Sequence, residues 1–112
     1  MATNYNLNIT RGSNFSVRLI AKDQLGSVID LTPYQVKGII KHRYSDSDAL
    51  LDLKPSGVEG YLTSGFIDVT LSGAQTTGMP ISQGVYDIEI SSGHYVDKLI
   101  YGYVNFYPEV TN

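Results

Sequence analysis

The chain has 112 residues, a formal net charge of −3 and 42% hydrophobic residues, which suits one domain built on one core and excludes a disordered chain. Its eight basic residues form no cluster, so nucleic-acid capture has no electrostatic footprint, and no apolar run approaches the roughly eighteen residues of a membrane span. With no Cys, disulfides, thiolate metal sites and cysteine nucleophiles are excluded.

Residues 1–5 have no basic region followed by an apolar one, so no secretion signal is expected. Asn4 to Thr10 alternates, with Tyr5, Leu7 and Ile9 on one side and three Asn on the other. This predicts a strand with one buried face. After a turn at Arg11-Gly12-Ser13, the side chains of Phe15, Val17, Leu19 and Ala21 mark the inner face of a second strand. Ser16, Arg18 and Lys22 lie outside. Asp23-Gln24-Leu25-Gly26 has Asp first and Gly last, as a β-turn does. Ser27 to Leu31 is then expected to return as a short strand, stopped by Thr32-Pro33.

Tyr34 to Arg43 predicts the next strand, with Val36, Gly38 and Ile40 inward and Lys37, Lys41 and Arg43 outward. A glycine inside a strand marks a bulge or a close backbone approach, and Gly38 holds that position. Tyr44 to Asp48 is a polar loop, and Leu50 to Leu53 is expected to be an edge strand. Pro55-Ser56-Gly57 breaks the pattern, and residues 58–64 match neither period. Ile67, Val69 and Leu71 share a face in another strand. Residues 72–77 suit one helical turn crossing between sheets, which Met79-Pro80 prevents from continuing.

Residues 82–90 enter through a turn and alternate, with Tyr86, Ile88 and Ile90 on one face and Val85, Asp87 and Glu89 on the other. Gly84 two residues before Tyr86 is similar to the tyrosine corner of immunoglobulin-like sandwiches, where a Tyr hydroxyl bonds back to upstream backbone. A turn at residues 91–94 leads to a long last strand. There Ile100, Gly102, Val104 and Phe106 share one side, and Leu99, Tyr101, Tyr103 and Tyr107 the other. Seven to eight short strands at regular spacing, with no credible helix, predict an all-β chain: a single immunoglobulin-like antiparallel β-sandwich domain over residues 1–112.

Little in the sequence carries chemistry. His42 and His94 stand in unrelated contexts, no Gly-x-Ser-x-Gly is present, and the glycines are scattered one per turn. Asp46, Asp48 and Asp52 suggest calcium. Counted from Asp46, however, the sixth and twelfth positions hold Leu51 and Gly57, where an EF-hand loop needs Gly and Glu. Two glycosylation sequons, at Asn8 and Asn14, are read as accidents of a Ser/Thr/Asn-rich chain. The expectation is no catalytic residue, no metal and no cofactor. What exceeds background is tyrosine: nine Tyr, against three Phe and no Trp. Tyr suits strands and wet interfaces. The outward row Leu99, Tyr101, Tyr103 and Tyr107, with the loop carrying Tyr44, Asp46 and Asp48, is therefore the candidate contact surface.

The order of segments resembles a family of small phage virion proteins related to the N-terminal domain of phage baseplate upper proteins, common in tailed cyanophages and other T4-like phages. The resemblance rests on residues 8–12 leading into 15–23, on 26–32, on 36–44, on 65–72 with Thr76-Thr77, on 84–89, and on 102–111. It covers nearly the whole chain. The chain departs from the family in carrying Lys41-His42-Arg43 where an Arg-Lys pair is common, and Ile100-Tyr101 where the last strand is entered by a small acidic residue or valine.

The resemblance implies a non-enzymatic building block of a tail, baseplate, neck or capsid. Its partners would be other virion proteins and copies of itself, without nucleic acid or membrane. Assembly in a reducing bacterial cytoplasm suits a cysteine-free chain. The short polar N-terminus and the tail from Glu109 to Asn112 are expected to offer strand pairing to neighbours. The alternative is a sandwich module that binds carbohydrate or a host surface, for which tyrosines gathered in loops at one end would be the signature.

Overall fold

In a computed structural model that describes residues 3–108, period-two alternation becomes nine strand segments. They are β1 (Thr3–Asn4), β2 (Leu7–Thr10), β3 (Phe15–Ile20), β4 (Gln35–Lys41), β5 (Leu51–Asp52), β6 (Ser56–Gly57), β7 (Phe66–Leu71), β8 (Gln83–Ser92) and β9 (Tyr95–Tyr107). The larger sheet has the order β1-β9-β8-β4-β5, with β2 also on β9, and the smaller has the order β3-β7-β6. The two pack as a β-sandwich. Leu7, Ile9, Ile40, Ile88, Ile90, Val104 and Phe106 of the larger sheet meet Leu19, Ile67, Val69 and Leu71 of the smaller in one buried cluster.

The larger sheet is mixed and not purely antiparallel. Both β1 and β2 run parallel to β9, with Thr3 beside Ile100 and Leu7 beside Val104. The reason is connectivity. The turn after β2 carries the chain into the other sheet, so β2 has no sequence neighbour beside it and adds to the last strand instead.

The one-turn helix α1 (Gly73–Thr77) crosses from β7 in the small sheet to β8 in the large one, as the sequence predicts. A capping box starts it: Ser72 Oγ accepts the Gln75 N–H (3.2 Å) while Gln75 Oε1 accepts the Ser72 N–H (2.9 Å). Its buried Thr76 hydroxyl donates to the Ser13 carbonyl (3.0 Å) and accepts the Gly12 N–H (3.1 Å), tying the crossing to the β2–β3 turn.

Residues 27–31 do not form the expected return strand; a single bridge joins Lys22 to Val28. Two ladder bonds flank it, from Asp23 N–H to the Ser27 carbonyl (2.9 Å) and from Ile29 N–H to the Ala21 carbonyl (3.0 Å), but the pairing goes no further because Ala21 N–H donates to Gly65 (2.8 Å) and Leu31 N–H to Leu62 (3.0 Å). Asp23 accepts from the N–H groups of Leu25 (2.9 Å) and Ser27 (3.0 Å), and Asp30 accepts from Thr32 N–H (2.9 Å). At Gly38 the sequence left two readings open, and the structure selects close approach. The β4–β8 register runs without a slip, while a Cβ at Gly38 would sit 3.2 Å from the Pro55 ring and 3.0 Å from the Asp87 carbonyl. Residues 62–64 form a 3₁₀ turn.

Tyr5, expected inward, is exposed because the chain bends between β1 and β2. The Tyr5 N–H donates to the Tyr101 carbonyl (2.9 Å), and Asn6 Oδ1 accepts the Tyr103 N–H (3.0 Å). Between them lies Gly102, where a Cβ would stand 2.4 Å from the Tyr5 carbonyl oxygen. Tyr86, paired with Gly102 across β8 and β9, is 1% exposed and donates its hydroxyl to that carbonyl. The tyrosine-corner expectation is thus altered. Tyr86 does bond to upstream backbone, but 81 residues upstream, so it joins the first strand to the last hairpin.

Tyr86→Phe leaves the Tyr5 carbonyl without its donor and is expected to lower the unfolding free energy by about 1–2 kcal/mol in urea. Gly102→Ala forces the bend away from β9 and is expected to cost about 1–3 kcal/mol in the same measurement. Burial holds the Tyr86 hydroxyl pKa far above its ordinary value of 10.0. The folded state therefore keeps a proton that the unfolded chain gives up. The hydroxyl's contribution to stability is expected to be full below about pH 10 and to be lost as pH rises beyond it. Tyr86→Phe is expected to flatten that alkaline loss in pH-dependent urea titrations.

Candidate interaction surface

The face of the larger sheet turned away from the core is assembled by register. Lys37, Ile39 and Lys41 of β4 lie beside Glu89, Asp87 and Val85 of β8, and Asp87 and Val85 lie beside Tyr101 and Tyr103 of β9. Tyr101, Tyr103 and Tyr107 therefore follow one another along one strand face. Tyr44, from the loop after β4, is set against the same face and shares a recess with Asp87, Lys98 and Tyr101. All four tyrosines are at least 40% exposed. The two regions singled out from sequence, the loop at 44–48 and the row on β9, thus meet on one side of the sandwich.

Leu99 does not belong to that row. It is 4% exposed and packs in the core. Ile88 pairs with Ile100 but Glu89 pairs with Lys98, so Leu99 is the extra residue of a bulge. A bulge breaks the alternation, which lets Leu99 and Ile100 both turn inward.

Asp46 is used within its own loop. Its Oδ2 accepts the Arg43 N–H (3.2 Å), and its backbone carbonyl accepts from Lys41 Nζ (2.8 Å). These bonds hold the loop that presents Tyr44. Asp48 is exposed. Loss of hydration pushes the Tyr44 hydroxyl pKa up, helped by the nearby Asp87 carboxylate.

One feature of this face escaped the sequence reading. Lys98 Nζ lies 2.7 Å from Glu89 Oε2 and 3.1 Å from Asp87 Oδ2, one cation shared by two carboxylates. The bond to Glu89 is the main reason the Lys98 pKa is raised. Hairpin register about the Gly93-His94 turn was the signal available, because counting back from that turn puts Glu89 opposite Lys98. With Tyr44, Lys37 and Lys41 these groups line a cavity of about 240 Å³. At the other end of the face the polarity changes to amides. Gln83 Nε2 donates to Asn105 Oδ1 (2.9 Å), and Asn105 Nδ2 donates to Asn8 Oδ1 (3.1 Å), a ladder across β8, β9 and β2.

His42 follows the end of β4 beside the start of β8, and His94 lies in the turn beyond the end of β8, so the length of that strand separates them. Among the described residues no three of His, Asp and Glu are grouped as a metal site. The tail from Glu109 to Asn112 lies outside the described residues. The chain matches no protein-family model and no curated protein.

Lys98→Ala leaves two carboxylates side by side. Because the lysine is more than half exposed, the expected loss in urea unfolding is at most about 1 kcal/mol, shrinking as salt is added.

Proposed function

We propose that this chain is a non-enzymatic structural component of a tailed-phage virion, in its tail, baseplate, neck or capsid, and that it acts through protein–protein contacts. The segment order set out from the sequence supports the virion context. The observation that carries the contact reading is the run of Tyr101, Tyr103 and Tyr107 along one strand face, with Tyr44 set against it.

An aromatic row on a sheet offers large contact area with little side-chain freedom to lose on docking. The hydroxyls can exchange bonds to water for bonds to a partner. The charged end at Asp87, Glu89 and Lys98 and the amide end at Gln83, Asn105 and Asn8 give the face a direction, which favours one docking orientation. The immunoglobulin-like character of the sandwich belongs to the same proposal. It is supported by the α1 crossing between sheets and by Tyr86 near the start of the penultimate strand. Carbohydrate recognition would be better served by tyrosines gathered in loops at one end.

The test is the intact particle. The chain is expected in purified virions at fixed stoichiometry, with Tyr101 and Tyr103 protected from hydroxyl-radical labelling relative to the free chain. Tyr101→Ser with Tyr103→Ser is expected to cut incorporation at least about tenfold, as loss of two interface anchors does, with an unchanged circular dichroism spectrum. Absence from particles, equal labelling free and assembled, or saturable glycan binding by the free chain would reject the reading.

A further inference from the structure

The small sheet ends in an unguarded strand. Among the described residues, β3 pairs with β7 on one side and with nothing on the other. Ala21 N–H donates to the Gly65 carbonyl (2.8 Å), and bonded pairs alternate along an antiparallel ladder. Phe15, Val17 and Leu19 therefore bond to β7, while Ser16, Arg18 and Ile20 turn their N–H and C=O groups to the open edge. Soluble proteins blunt such an edge with Pro, Lys, a bulge or an inward charge. Residues 15–20 contain no Pro, no Lys and no slip in register, and their single charge, Arg18, is bent onto Asp68 of the neighbouring strand (2.8 and 3.1 Å). Ile20 is 45% exposed on the outer face, and Phe15 and Val17 are only partly covered on the inner one.

We propose that β3 pairs antiparallel with β3 of a second copy about a twofold axis at Val17, joining two small sheets into one of six strands. The sequence of the strand selects this register. Ser16, Arg18 and Ile20 must meet edge-directed residues of the partner, so the axis passes through a residue and not between two. An axis at Arg18 sets Arg18 opposite the partner's Arg18, and like charges directly opposite are unfavourable. An axis at Leu19 sets the apolar Phe15 opposite the partner's Asp23, whose carboxylate closes its own turn by accepting the Leu25 and Ser27 N–H groups. The axis at Val17 places Ser16 opposite the partner's Arg18, and Phe15 opposite the partner's Leu19. A hydroxyl then meets a guanidinium on the outer face, and apolar side chains meet on the inner face. This edge lies on the sheet that does not carry the tyrosine row, so it stands independently of the function proposed above.

Light scattering after size exclusion tests this on the full chain. The mass is expected to rise toward twice 12.3 kDa with concentration and to return to 12.3 kDa on dilution. Ser16→Pro removes an edge N–H and no bond to β7, so it is expected to give a folded monomer. A second variant decides if that one fails to fold. Val17→Cys provides the only thiol in the chain. At a non-bonded antiparallel pair the two Cα atoms lie about 4.5 Å apart, within disulfide reach, so oxidation is expected to link two copies. Ile20→Cys, remote from the axis, is expected not to link. A monomer at every concentration, a dimer that survives Ser16→Pro, or linkage through Ile20→Cys instead of Val17→Cys overturns the proposal. So does a monomer whose Arg18 and Ile20 amides are already protected from hydrogen exchange, which would mean that another segment of the same chain covers the edge.

Discussion

The fold turns on one contact among three residues far apart in the sequence. Gly102 presents bare backbone in the middle of β9, the Tyr5 carbonyl settles into the space a Cβ would occupy, and the buried Tyr86 hydroxyl donates to it. A buried phenol without a partner would be costly, as would a carbonyl held against the sheet without a donor. Here each satisfies the other. The bend at Tyr5 and Asn6 also splits the first strand into β1 and β2 without losing its hold on β9, because the Asn6 side chain accepts the Tyr103 N–H that the bent backbone no longer meets.

This constraint shapes the outer face. With β2 fixed parallel to β9, Asn8 stands beside Asn105 and completes the amide ladder to Gln83. Tyr101 and Tyr103 sit on either side of Gly102, so the backbone geometry at the glycine sets how both rings are presented. At the opposite end, the bulge at Leu99 turns a second apolar residue inward and brings Lys98 opposite Glu89. The proposed contact surface and the core are thus two faces of the same register. The proposed pairing through β3 concerns the other sheet, and the two surfaces would let one subunit make different contacts on its two sides.

Much of the fold is legible in the sequence because alternation reports which face is buried. Leu7, Ile9, Leu19, Ile40, Ile67, Val69, Leu71, Tyr86, Ile88, Ile90, Val104 and Phe106 all lie inward as their period requires. The helical turn after β7 was readable from a short polar segment closed by Met79-Pro80. What escaped depends on contacts between distant segments. Tyr5 continues the apolar face of its strand by period, but the bend over Gly102 turns it out. Leu99 keeps the period of the tyrosines, but a bulge turns it in. The parallel addition of β2 and the loss of a strand at 27–31 follow from connectivity and from the Ala21 and Leu31 amides bonding to Gly65 and Leu62, which alternation does not encode. On the contact surface, the tyrosines were legible as an outward row, while the bridge from Lys98 to Glu89 and Asp87 required the hairpin register.

The most direct measurement of the central contact is residue-resolved amide hydrogen exchange in wild type and Tyr86→Phe. If the hydroxyl of Tyr86 holds the first strand on β9, the variant should lose protection first at the Tyr5, Leu7 and Tyr103 amides, while the β4–β8 ladder keeps its protection at matched stability. Uniform loss across both sheets, or unchanged exchange at Tyr5 and Tyr103, would contradict it.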